Sequence, residues 1–271
     1  MRLRNLAFVL GAAGVATLAY GAVVESRRLV VERRTLALPE LPERLRGFRI
    51  ALLSDFHIGS KASIHLTLEA IDKALEAEPD MVVLCGDFVQ DWRPDTPRVL
   101  GECLEPLLLM DGNVVAVPGN HDYHRGTPEI LELICRELNI RLLRNDAWTH
   151  AGITWVGIDS ATEDQADPML AMLRAGGDPR IAIWHEPDMV DLLPGGCVLQ
   201  LSGHSHGGQF TFPGGFTPMH TKLGEKYVRG FYPDAPTPLY VSRGIGTTFL
   251  PSRLNCAPEV SILTLVPSDI V

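Results

Sequence analysis

Five short blocks of this 271-residue chain hold side chains suited to divalent metals: Asp55-Phe56-His57, Gly86-Asp87, Gly119-Asn120-His121-Asp122, His185 and Gly203-His204-Ser205-His206. Asp, Asn and His supply the oxygen and nitrogen donors that borderline cations accept. Asp55 and His57 stand two residues apart and can reach one ion. Asp87 has two carboxylate oxygens and can bridge two. Asn120 offers a neutral oxygen. His121 beside it can donate a proton or bind phosphate, and Asp122 can hydrogen-bond that imidazole and fix its tautomer. His204 and His206 occupy alternating positions, so at a strand end they can serve neighbouring ions. His185 closes an apolar run, where a buried histidine with one backbone partner is the alternative.

Each block follows an apolar stretch, and the stretches define the elements that must position it. Strands are predicted over Phe48–Leu53, Met81–Leu84 and Val114–Val117, with helices over Ile64–Ala77, Pro97–Leu109 (broken by Pro106) and Pro128–Leu138. This alternation predicts an α/β fold with a largely parallel sheet. The candidate ligands then fall at the carboxyl ends of the strands, where such sheets place their sites. The second half is richer in short strands: Thr154–Ile158, Arg180–Trp184, Val198–Ser202, Gln209–Phe212, Leu239–Ser242 and Val260–Leu265.

Charge is unevenly distributed. The net charge is −9, yet residues 1–46 hold eight Arg against four Glu. The remaining region is strongly acidic and excludes nucleic acid as an expected partner. The five cysteines are scattered, with no C-x-x-C pair, so neither a disulfide framework nor a zinc ribbon is expected. From Asn5 to Val24 no residue is charged. Twenty helical residues span about 30 Å, close to one hydrocarbon core, so residues 1–24 are expected to form a single N-terminal transmembrane helix. Residues 25–46 read as a basic juxtamembrane linker, with 35–46 a linker or an edge segment. The arginines at 27, 28, 33 and 34 favour a bacterial inner-membrane, single-pass protein with its catalytic domain cytoplasmic. A cleaved signal peptide and a buried soluble helix are the alternatives to the span, and an extracytoplasmic domain is the alternative to that orientation.

The ordered series D-x-H, G-D, G-N-H-D, H, G-H-x-H resembles the calcineurin-like metallophosphoesterases over about residues 47–266. The resemblance implies that residues 47–271 form a metallophosphoesterase domain, a four-layer α/β/β/α sandwich with two divalent metal ions, Mn²⁺ foremost, with Fe, Zn²⁺ or Co²⁺ as alternatives. It implies that Asp55, His57 and His206 hold one metal, Asn120, His185 and His204 the other, and that Asp87 bridges them. His121 is then the catalytic histidine and Asp122 its orienting partner. Gln90 stands where purple acid phosphatases carry a metal-binding Tyr, and Asp122 where Ser/Thr protein phosphatases carry Glu, so neither branch fits. His185-Glu186-Pro187-Asp188, Ser202–Gln209 and Ser242–Gly246 are similar to membrane-associated bacterial phosphodiesterases of the YkuE and YaeI type. That group also resembles a membrane-bound UDP-2,3-diacylglucosamine pyrophosphatase of lipid A biosynthesis. The expected function is therefore hydrolysis of a phosphodiester or pyrophosphate bond in a substrate that is lipid-linked. A nucleotide or cell-envelope phosphodiesterase and a non-catalytic metal-binding scaffold are the rivals. Lys222, Lys226 and Arg229, in the Gly-rich loop after the G-H-x-H block, are candidates for holding substrate.

Overall fold

Alternation within single strands sets the architecture. In β2 (Arg49–Leu53), Ile50 and Leu52 face one apolar cluster while Ala51 and Leu53 face another. Both faces are dry, as a central strand of a covered sheet requires. The computed structural model describes residues 3–268 and, within them, all side chains except those of residues 3–10, 12, 13 and 213.

Two six-stranded mixed sheets result. The first runs β1 (Val30–Leu38), β12 (Glu259–Pro267), β2, β3 (Met81–Cys85), β4 (Val114–Val117) and β5 (Arg141–Leu142). The second runs β10 (Gly230–Tyr232), β11 (Leu239–Val241), β9 (Leu199–Ser202), β8 (Arg180–Trp184), β7 (Ile153–Ile158) and β6 (Asp146–His150). The strands that carry the blocks are parallel within their sheets: β2, β3 and β4 in one, β8 and β9 in the other. Leu52, Val83 and Val115 of the first sheet and Trp155, Ile183 and Leu201 of the second share one cluster between the sheets. The outer face of the first sheet is covered by α2 (Lys61–Leu75), α3 (Thr96–Leu104) and α4 (Pro128–Glu137). The outer face of the second packs on α5 (Pro168–Arg174). The order of layers is helix, sheet, sheet, helix.

Local chemistry explains the helix limits. Ser60 caps α2 through a reciprocal capping box with Ser63, and Leu66, Ala70, Ile71 and Ala74 form its buried stripe. The helix expected over 97–109 ends at Leu104, and Pro106 sits in a 3-10 turn that follows.

Three expectations are corrected. Residues 30–34, read as part of a basic linker, form edge strand β1 together with 35–38, read as a linker or an edge segment, and the strand pairs in parallel with β12 over its whole length. Residues 209–212 are not a strand; only an isolated bridge joins Phe210 to Leu254. The transmembrane helix and the single-pass inner-membrane localisation are overturned, because among the described residues no helix is long and apolar enough to cross a membrane. The described part of α1 (Leu3–Val23) is rich in Ala and Gly, and its end is committed to the globular body. Ser252 Oγ donates to Leu18 O at 3.1 Å, and Arg253 N–H donates to Gly21 O at 3.3 Å. Gly21 is buried, and a Cβ there would collide with Ser252 Oγ and Arg253 O.

This docking makes a prediction. Gly21→Val should lower folding stability by about 1–3 kcal/mol through overpacking, read as a reduced midpoint in urea. An unchanged midpoint would show that α1 does not bear on the domain.

Candidate metal centre

Both sheets deliver their blocks to one place. Asp55 and His57 follow β2, Asp87 follows β3, Asn120 and His121 follow β4, His185 follows β8, and His204 and His206 follow β9. Asp55, His57, Asp87, Asn120, His185, His204 and His206 are all buried. Among the described residues, ligand atoms of Asp55, His57, Asp87 and His206 lie within 4.8 Å of one another, as do those of Asp87, His185 and His204. Asp87 belongs to both groups.

The backbone is bent to achieve this. Asp55, His57, Asp87, His204 and His206 all adopt left-handed conformations, with φ between 46° and 68°. Each such non-glycine residue costs on the order of 1–3 kcal/mol and persists only where its surroundings over-determine it. Close approach is needed too. A Cβ at Gly119 would strike the Asp87 carboxylate, and one at Gly203 would strike Ser54 Oγ and Asp55 Oδ2.

Hydrogen bonds to backbone carbonyls fix which imidazole nitrogen faces inward, since a carbonyl can only accept. His185 Nδ1 donates to Cys85 O at 2.7 Å, leaving Nε2 as the free donor atom. His204 Nε2 donates to Lys222 O at 2.7 Å, leaving Nδ1. His57 Nε2 and His206 Nε2 face each other at 3.1 Å. Burial pushes His57 down to about 3, and burial together with His57 holds His206 well below the usual range, so both rings are neutral with lone pairs available. Burial also disfavours charge on His185, but Asp87 and Asp55 outweigh it and hold His185 well above the ordinary value. Burial works against the Asp87 carboxylate as well; His185 outweighs it and keeps Asp87 well below. Asp55 is raised by burial.

The donor set fits cations. Asn120 Oδ1 and His185 Nε2 are buried without a hydrogen-bond partner; His57 turns Nε2 toward His206 and Asp87, and its other nitrogen, Nδ1, is the unpaired one. His185 Nε2 lies 3.3 Å from Asp87 Oδ2 without making a hydrogen bond to it. A buried polar atom left unpaired is expensive unless something binds it. Asp55, Asp87 and the neutral imidazoles provide the mixed oxygen and nitrogen environment of a two-cation site.

His121 is half-buried and lines an open cavity of about 350 Å³ together with Asp87, Asn120, His204 and His206. Its Nδ1 donates to Gln90 O at 2.9 Å, so Nε2 is the free nitrogen. This corrects the role expected of Asp122. That carboxylate does not bond His121; it accepts from the backbone N–H groups of Gly119 (2.8 Å), Phe88 (2.9 Å), Asp87 (3.1 Å) and Val89 (3.3 Å). Burial and the nearby Asp87 push Asp122 up to about 7, against the pull of these bonds. Asp122 therefore ties the β3 and β4 loops together. Sequence analysis missed the carbonyl of Gln90, because a backbone acceptor leaves no residue-type signal.

The three candidate substrate residues are dispersed. Lys222 lines the cavity. Lys226 Nζ is paired with Asp191 Oδ2 at 2.7 Å on the exposed surface. Arg229 Nη1 donates to Thr211 Oγ1 at 3.1 Å and Asn255 O at 3.3 Å. The structure brings neither Lys226 nor Arg229 to the cavity wall.

Comparison with known proteins places this geometry in context. The family described as calcineurin-like phosphoesterase matches residues 48–208. The chain is 30% identical to phosphodiesterase YaeI of Escherichia coli, with 81% of this chain and 82% of that protein covered. It is 29% identical to the metallophosphoesterase YkuE of Bacillus subtilis, covering 91% and 88%. A metallophosphoesterase of Helicobacter pylori is 30% identical over 83% of this chain, which spans 61% of that protein's length.

Ligand binding should be visible as stability. At a free Mn²⁺ concentration of 100 times Kd, chelator-treated protein should gain about 2.7 kcal/mol, read as a rise in Tm. Asp87→Ala should abolish the gain, and Asn120→Ala should reduce it. An Asp87→Ala protein that responds like the parent would show that the carboxylate is not shared between cations.

Proposed function

Because the chain belongs to the calcineurin-like phosphoesterase family and is thereby a metal-dependent phosphoric ester hydrolase, we propose that it hydrolyses a phosphodiester at the paired clusters that share Asp87. The observation that supports this reading is the convergence of seven buried donors from five strand ends, three of them with unpaired atoms. Asp55, His57 and His206 would hold one cation, Asn120, His185 and His204 the other, and Asp87 would be shared. When bound, divalent cations supply Lewis acidity and an acidified water molecule near neutral pH.

The remaining chemistry belongs to the chain. The Gln90 carbonyl accepts from His121 Nδ1–H and leaves Nε2 at the cavity wall, where it donates a proton when the ring is imidazolium. As a water oxygen bonds to phosphorus and the bond to the leaving oxygen breaks, His121 gives that leaving oxygen its Nε2 proton. Asp87 Oδ1 accepts from the His121 backbone N–H at 2.8 Å, so the bridging carboxylate and the acid are held in fixed relation. Asp122 keeps both loops in that arrangement and acts as a positioning residue. Lys222 lines the same wall and neutralises a substrate oxygen. A diester is favoured over a monoester by the open cavity of about 350 Å³, which has room for a second ester group. YaeI's description as a phosphodiesterase supports the same class. Cleavage of a pyrophosphate bond, as in UDP-2,3-diacylglucosamine, is the alternative at the same site.

Mn²⁺-loaded protein should hydrolyse bis-p-nitrophenyl phosphate. His121→Ala should lower kcat by about 10²–10⁴-fold while retaining the Mn²⁺-induced rise in Tm. Asp87→Ala should lose both. Absence of turnover by folded, metal-loaded protein would instead favour a non-catalytic scaffold.

A further inference from the structure

The run His185-Glu186-Pro187-Asp188 places two acids directly after a candidate ligand, and neither belongs to the ligand set. Both fasten loops instead. Glu186 is fully buried, and its Oε1 accepts from Ser160 Oγ at 2.7 Å and from Thr162 N–H at 3.0 Å. Asp188 is half-buried and grips the chain between residues 223 and 227. Its Oδ2 accepts from the N–H groups of Glu225 (2.9 Å) and Lys226 (3.1 Å), and its Oδ1 from that of Tyr227 (3.0 Å). Its own N–H donates to Leu223 O at 3.1 Å. Residues 216–229 form no helix or strand, so these three N–H groups have no ladder to join, and one charged acceptor satisfies them all.

The grip reaches a ligand. Lys222, one residue before Leu223, supplies the carbonyl that accepts from His204 Nε2 at 2.7 Å. The plane of the peptide carrying that carbonyl is set in part by φ of Leu223. This angle is +67°, a left-handed value uncommon for leucine. It persists only where neighbouring bonds hold it. Asp188 N–H holds Leu223 O on one side of the strained residue, and Gly224 N–H donates to Thr221 O at 3.1 Å across it. An imidazole with its proton on Nε2 keeps its lone pair on Nδ1, the nitrogen that His204 has free. Without a fixed acceptor the proton can move to Nδ1 and close the ring to a cation.

We propose that Asp188 is a positioning residue for the metal centre: by holding residues 223–227 it fixes the Lys222 carbonyl, and with it the tautomer in which His204 presents Nδ1. This rests on the reading of His204 as a cation ligand and deepens it. Asp191 provides the contrast. It ties the same loop through side chains alone, accepting from Lys226 Nζ at 2.7 Å and Tyr227 Oη at 3.1 Å, and it bonds neither Leu223 nor the loop backbone.

The test uses full-length protein labelled with ¹⁵N-histidine, metal-free, in mildly alkaline buffer. The His204 ring should carry its proton on Nε2 in the parent. Asp188→Asn keeps the size of the side chain but leaves one arm unable to accept, and it should populate the Nδ1–H tautomer. Added Zn²⁺, which the mixed donor set also accepts, is then followed at the ring signals of His204 and His57 to separate the two cations. Asp188→Asn should need about tenfold more Zn²⁺ for half-saturation at His204, with His57 changed less than about threefold, since loss of an orienting partner costs a metal site 10–100-fold. Asp191→Asn should leave both readouts at parent values. An unshifted tautomer in Asp188→Asn overturns the proposal. So do equal changes in Asp191→Asn, because the ring would then follow the general stability of the loop. If Asp188→Asn does not fold, Asp188→Ser is judged by the same outcomes. If the parent takes up no Zn²⁺, the cation reading fails, and the tautomer comparison alone decides the role of Asp188.

Discussion

The Asp87 carboxylate, shared between two groups of imidazoles, is the constraint around which the rest of the site is arranged. It lies 3.4 Å from His57 Nε2 and 3.3 Å from His185 Nε2 and is buried at the floor of the open cavity. Burying Asp55 and Asp87 together is unfavourable unless positive charge accompanies them. The chain's own nearby cation, Arg253, is occupied by backbone carbonyls, and the neutral His57 and His206 carry no charge. His185 alone supplies partial compensation by taking a proton. Divalent cations satisfy the same electrostatic demand more fully, and they also satisfy Asn120 Oδ1, which a proton on His185 does not reach.

The two-sheet architecture follows from what that constraint requires. One parallel sheet presents only the ends of its own strands. Here β2, β3 and β4 bring Asp55, His57, Asp87 and Asn120 from one side, and β8 and β9 bring His185, His204 and His206 from the other. The apolar cluster between the sheets, including Trp155, Ile183 and Leu201 opposite Leu52 and Val83, fixes their separation. A close-packed interior resists displacement. Five ligands can therefore be held in left-handed backbone, a local strain that packing elsewhere must offset.

Legibility in the sequence followed the kind of interaction. The ligand blocks were readable because metal binding demands particular side chains at strand ends, and β2, β3, β4 and β8 were readable because buried strands are continuous apolar runs. β1 was hidden: Glu32, Arg33 and Arg34 on an edge strand look like a charged linker, and only pairing with β12 more than two hundred residues away shows otherwise. The apolar N-terminal run looked like a membrane span because hydropathy cannot see the seat that Ser252 and Arg253 make for Gly21. Gln209–Phe212 looked like a strand, yet Gln209 is spent on the loop that carries Phe249.

Much of the machinery behind the ligands is backbone, which limits what any motif can reveal. The carbonyls of Cys85, Gln90 and Lys222 orient His185, His121 and His204. Asp122 performs the converse task, gathering four backbone N–H groups from two loops. Arg253 does the same for carbonyls. Fully buried, it donates to Arg243 O at 2.8 Å, Gly246 O at 3.0 Å, Cys256 O at 3.1 Å and Gly244 O at 3.2 Å. The loop so gathered presses on Asp55, since a Cβ at Gly244 would meet the Asp55 side chain and one at Gly246 its carbonyl oxygen. One buried anion and one buried cation thus brace opposite sides of the centre by collecting peptide groups rather than by pairing with each other. A lysine at 253 would keep the charge but lose the planar five-donor fork that reaches four carbonyls. Geometry at this site is consequently specified in part by residues that are not themselves ligands, Asp122 holding the Asp87 N–H and Arg253 donating to His206 Nδ1 at 3.4 Å, and their types are intelligible only once the fold has placed the peptide groups around them.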